Sequence, residues 1–102
     1  MSREAFALEI RPGKVAEYVA AHRQVWPEVL EATKSAGIRN YTIFLHGNIA
    51  FGYFECDDPA AANAVLAEDP HCIRWEDWMA EFLTERVPTD GADALTELFR
   101  LD

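Results

Sequence analysis

A chain of 102 residues is one domain's length, and a half-hydrophobic composition (50%) with 12% aromatics builds a core and excludes a disordered segment. Eighteen acidic against nine basic side chains leave a formal charge of −9, which sets the protein against phosphate backbones and anionic membranes and favours a small neutral partner. No apolar run approaches the roughly 20 residues that span a bilayer, and Met1-Ser2-Arg3-Glu4-Ala5 is no signal peptide, so a soluble, cytoplasmic protein is expected.

Residues 3–10 alternate Phe6, Leu8 and Ile10 against Ala5, Ala7 and Glu9, which predicts a half-buried strand ended by Pro12-Gly13. A helix follows from Lys14, with Val15, Tyr18, His22 and Val25 or Trp26 recurring on one face. Pro27 breaks the backbone ladder and pushes Trp26 out of the helical region, so helix restarts at Pro27 and runs to Gly37. Residues 38–46 read as a second strand, with Tyr41, Ile43 and Leu45 on one side and Asn40, Thr42 and Phe44 on the other. His46-Gly47-Asn48 turns it into a third strand over 49–55.

Asp57-Asp58-Pro59 and Asp69-Pro70 are two successive helix starts, each an aspartate cap before a proline at the first position. The second predicts a helix over 71–83 with Trp75, Trp78, Met79 and Phe82 as its stripe. Residues 85–93, containing Pro88 and Gly91, read as a loop, and 95–101 as a closing strand.

The expected fold is α+β: a ferredoxin-like β-α-β-β-α-β order with a four-stranded antiparallel sheet and helices on one face, spanning 1–102 as a single domain. Phe44, Phe51, Tyr53, Phe54, Leu98 and Phe99 exceed what one covered face needs. The uncovered face then calls for a homodimer in which two sheets close into an α/β barrel.

Several chemistries lack their signatures. His22, His46 and His71 are too far apart for an ordinary metal motif, and there is no HExxH, phosphate loop or GxSxG elbow. Cys56 and Cys72 lack CxxC spacing and basic neighbours, and read as core residues. What remains is Tyr18-x-x-x-His22, which puts a phenol and an imidazole one helical turn apart. Histidine can give and take a proton near neutrality, although a core imidazole bonded to a carbonyl has the same spacing. Tyr41 and Trp75 supply an aromatic wall for the C–H face of a sugar, or plain core.

The runs Arg3-x-Ala5-Phe6, Glu17-Tyr18, His22, Val25-Trp26-Pro27-Glu28, Gly37-x-x-Asn40-Tyr41-x-Ile43 and Arg74-Trp75-x-x-x-Met79 resemble the L-rhamnose mutarotase family along nearly the whole chain. The resemblance implies a dimeric α/β-barrel enzyme that interconverts the α and β anomers of a 6-deoxy-L-hexose, most simply L-rhamnose, with no cofactor and no metal. It casts His22 as the general acid, Tyr18 and Tyr41 as sugar-binding tyrosines, and Trp75 as the first of two adjacent sugar-binding tryptophans. The second is replaced here by Glu76, which is either a solvated helix residue or a new acceptor for sugar hydroxyls. That change admits L-fucose or another deoxy sugar as the substrate. Glu9, Glu76, a tyrosine or water could serve as the base on the C1 hydroxyl. A cofactor-free monooxygenase of the same architecture and a non-catalytic sugar-binding dimer are the alternatives from other classes.

Overall fold

The computed structural model describes residues 1–87 and 94–101. Strand β1 (Ser2–Glu9) leads into α1 (Val15–His22) and α2 (Pro27–Ser35), then β2 (Arg39–His46) and β3 (Ile49–Cys56), then α3 (Pro59–Glu68) and α4 (Pro70–Ala80). The antiparallel sheet has the order β1-β3-β2. No helix among the described residues is long and apolar enough to cross a membrane.

The punctuation residues act as their chemistry dictates. Trp26, held extended before proline at φ −58° and ψ 135°, separates α1 from α2, and Pro27 opens α2 where a missing N–H costs nothing. Asp58 caps α3 by accepting from the Ala61 N–H at 3.1 Å. Asp69 caps α4 by accepting from the His71 and Cys72 N–H groups at 2.9 and 3.0 Å. Those two bonds, Cys72's first, hold the Asp69 carboxyl below its ordinary range. Gly47 adopts the positive φ (61°) that a Gly-first two-residue hairpin requires between β2 and β3.

Strand alternation sends Ala50, Gly52, Phe54 and Cys56 beneath the helices, and α4 packs against both α2 and α3 above them. The main core joins Ile10, Tyr18, Ala50, Trp75, Met79 and Leu83, while Ile38, Phe54, Cys56 and Ala62 form a smaller cluster. At Gly52 the constraint is space: the Phe6 ring of β1, its cross-strand partner, occupies the volume a Cβ would need. Both cysteines are free and buried, as read from the sequence.

Two expectations need correction. The four-stranded sheet is three-stranded among the described residues, and 95–101 is not a strand. The chain reaches the free edge of β1 through a Phe6–Ala94 bridge and a 2.7 Å bond from the Leu95 N–H to the Ala5 carbonyl, and beyond them Glu97 pairs with Arg3 of β1 at 2.6 Å through side chains and not through a strand ladder. Leu98, Phe99 and Leu101 are 97, 78 and 85% exposed. A strand with no surface to bury its apolar side chains against gains too little to offset its ordering entropy. The last helix ends at Ala80 and not at Leu83, because Leu83 bridges Ile10 and the Phe82 carbonyl accepts from the Arg11 N–H at 2.8 Å. The part of the expected loop at 88–93 lies outside the described residues.

Candidate active site

A cavity of about 540 Å³ opens between the covered sheet face and the helices, and His22, Tyr41, Trp75 and Glu76 all line it. Each arrives from a different local cause. His22 is the last residue of α1, stopped by the approach to Pro27. Its Nδ1 lies 2.9 Å from the Tyr18 carbonyl oxygen one turn back. A carbonyl only accepts, so Nδ1 carries the proton, and Nε2 is left to exchange a proton with a ligand.

Tyr18 is not among the residues lining the cavity. It is buried behind His22, with ring centroids 4.3 Å apart. Burial first, and then the negative charge of Glu76, push its phenol up to about 12. Tyr18 therefore stays protonated at neutral pH, which fits a donor and excludes a base.

Tyr41 reaches the cavity through a β-bulge. Between the pairs Arg39–Glu55 and Thr42–Tyr53, β2 carries one residue more than β3, and Asn40 absorbs the kink at φ 53°. The phenol ring then stacks on Phe54 at 5.5 Å and meets Phe6 edge-on at 6.1 Å.

Trp75 is only 6% exposed and sits in an aromatic nest. Its ring is perpendicular to His22 at 5.5 Å and to Trp26 at 5.2 Å, while Trp26 stacks flat on Trp78 at 5.7 Å. Such edge-to-face geometry fixes ring orientation. Trp78 and Phe82 stay outside the cavity and belong to the packing around this nest, so the core reading holds for them.

Among the described residues, five further polar residues line the cavity: Glu4, Thr33, Asn63, Cys72 and Arg86. Cys72 had a signal in its spacing, three residues before Trp75 and four before Glu76 on α4. Burial first, then Asp69 and Glu76, push its thiol up to about 11, so it is an inert wall at neutral pH. Arg86 pairs with Asp77 at 2.6 Å. Asn63 is the one polar side chain within an apolar stretch of α3, and Glu4 breaks the apolar inward series of β1.

The comparisons with known proteins identify the family. The family model described as L-rhamnose mutarotase matches residues 3–101. L-rhamnose mutarotases of Opitutus terrae and Pectobacterium atrosepticum are 37% and 34% identical to the chain, each over the full length of both proteins. Among solved structures, an L-rhamnose mutarotase from Formosa agariphila superposes with a TM-score of 0.80 at 26% identity, covering 100% of both chains. Tetracenomycin F2 cyclase from Streptomyces glaucescens shares the fold alone, with a TM-score of 0.66 at 16% identity over 100% of this chain and 98% of that one. An aromatic-walled cavity with a backbone-locked histidine, in a chain that the family model matches almost end to end, leads to one conclusion: the chain belongs to the L-rhamnose mutarotase family.

Proposed function

We propose that the protein is an anomerase that interconverts α- and β-L-rhamnose, with His22 as its proton-transfer residue. One observation carries the assignment of the site: His22 lines the cavity with Nδ1 committed to a backbone carbonyl, so a single ring nitrogen is available to a bound sugar. The curated relatives' names support the substrate.

Anomer exchange needs the ring oxygen protonated while the C1 hydroxyl loses its proton. An imidazolium at His22 gives its Nε2 proton to the ring oxygen, and the C1–O5 bond opens. The free aldehyde rotates about C1–C2, and the O5 hydroxyl adds to the other carbonyl face and returns its proton to His22. Proton transfer of this kind is worth about 10² to 10⁴ in rate. Trp75 and Tyr41 offer ring faces to the sugar's C–H groups, and the Tyr18 ring packs against the imidazole from behind. The scheme calls for no cofactor and no metal.

The working unit in this reading is a homodimer. Phe44 and Phe51 face each other across β2 and β3 on the face without helices, 63 and 40% exposed, and the 94–101 segment adds further uncovered apolar side chains. L-fucose is the second substrate reading, resting on Glu76 in the cavity wall, where a carboxylate can accept from a hydroxyl that an indole cannot. The monooxygenase and non-catalytic readings have no comparable support.

Exchange NMR or polarimetry on freshly dissolved single anomers decides the matter. Acceleration on L-rhamnose well above the uncatalysed rate, surviving chelator treatment, is expected. Faster exchange on L-fucose moves the substrate assignment, and no acceleration on any sugar overturns the anomerase reading.

A further inference from the structure

We propose that Glu76 is the base that removes the C1 hydroxyl proton during ring opening and returns it on closure, working together with His22 in one cavity. The proposal rests on the anomerase reading above.

The reaction itself demands a second group. At the moment the ring oxygen gains a proton, O1 must lose one, and His22 cannot do both at once. Glu9 points away from the helices on the alternate side of β1 and does not line the cavity. Among the described residues, two carboxylates line it, Glu4 and Glu76. Glu4 belongs to the far end: it accepts from the Ser2 hydroxyl at 3.3 Å and pairs across the sheet with Phe54, on which Tyr41 is stacked. Glu76 belongs to the His22 end. It follows Trp75, whose ring meets His22 at 5.5 Å. Its charge acts on Tyr18, whose ring centroid is 4.3 Å from that of His22. The Glu4 charge is felt instead at Cys56, after burial. Acid and carboxylate thus occupy the same end.

The step balances. On opening, the imidazolium proton goes to O5 and the C1–O5 electron pair stays on O5. The O1–H pair becomes the second C=O bond, and the O1 proton passes to the Glu76 carboxylate. Imidazolium and carboxylate become imidazole and carboxylic acid, and the sugar becomes a neutral aldehyde. Closure on the other face runs both transfers backwards and restores the starting enzyme.

Among the described residues, the titratable and charged neighbours lining this cavity are His22 from α1, Cys72 from α4, Glu4 from β1, Tyr41 from β2, and Arg86, which is already held by Asp77, with Tyr18 of α1 buried behind His22. Tyr18 and Cys72 stay neutral near pH 7.

The test is Glu76→Gln, which keeps shape and hydrogen bonding but cannot take a proton. Measured by exchange NMR on L-rhamnose, kcat should fall on the order of 10² or more, with KM within a few-fold of wild type and the acid limb of the kcat–pH profile gone. Glu76→Asp should keep that limb at an intermediate rate. An active wild type whose Gln variant keeps its kcat, keeps the acid limb, or changes only KM overturns this proposal alone. An inactive wild type overturns the anomerase reading and this proposal with it. Should the Gln variant fail to fold, an Asp variant with unchanged kcat or no acid limb overturns the proposal, and a reduced kcat with the limb present supports it.

Discussion

Phe51 and Phe54 are both aromatic and three residues apart on β3, yet Phe54 is buried beneath the helices while Phe51 is 40% exposed beside Phe44. Alternation alone separates them. The helices that cover one face bring functional groups with them: His22 at the end of α1 and Trp75 and Glu76 on α4 converge over it. On the other face Phe44 and Phe51 form a directly opposed pair with no helix above it. One face carries the candidate site, and the other leaves its apolar side chains uncovered.

Several substitutions can break or sharpen that contrast. The largest effect belongs to the covered face. His22→Ala should fold normally and lose on the order of 10² or more in anomer exchange by NMR; a near-wild-type rate would make His22 a packing residue. Gly52→Ala attacks the same face through space alone, because the new methyl displaces the Phe6 ring. A loss of about 1–3 kcal/mol in urea unfolding is expected, and an unchanged midpoint would show that Phe6 swings clear without cost.

Phe44→Glu addresses the other face. The wild type should sediment at about twice the 11.5 kDa chain mass at micromolar concentration, and the variant should shift to the monomer while keeping its circular dichroism. A dimer in both proteins would place the contact elsewhere. The smallest effect is electrostatic. The Asp69 carboxyl is held below its ordinary range by the helix N–H groups it caps, so its stabilisation is fully present above that range and fades as pH falls through the lowered value. Asp69→Ala should lower the melting temperature at pH 7, and the gap should close towards acid. A gap independent of pH would mean that the charge plays no part.

Much of this was legible because local signals were strong and unopposed. Two aspartate–proline pairs gave two helix starts, Pro27 separated α1 from α2, and alternation put Tyr41 and Ile43 on the cavity side and Phe44 opposite. The fourth strand was misread because alternation in 95–101 reports an apolar side without saying what covers it. The helix ending at 83 was misread because its stop comes from a distant pairing with Ile10, which leaves no mark in the local pattern. Within the site, spacing brought Tyr18 and His22 together but not their depth. Tyr18 lies behind the imidazole, since the turn that puts them on one face also lets one shield the other. Glu4, Asn63 and Arg86 escaped notice because a lone polar residue has no period, and only the folded chain gathers them.

The carbonyl that holds His22 belongs to the backbone, and a backbone carbonyl is present whatever side chain position 18 carries. A histidine oriented by a carboxylate ties two positions together, so that a mutation at either one scrambles the tautomer. Here the proton inventory is inherited with the helix itself. A change at position 18 alters what packs behind the imidazole, while the exchangeable nitrogen stays the same.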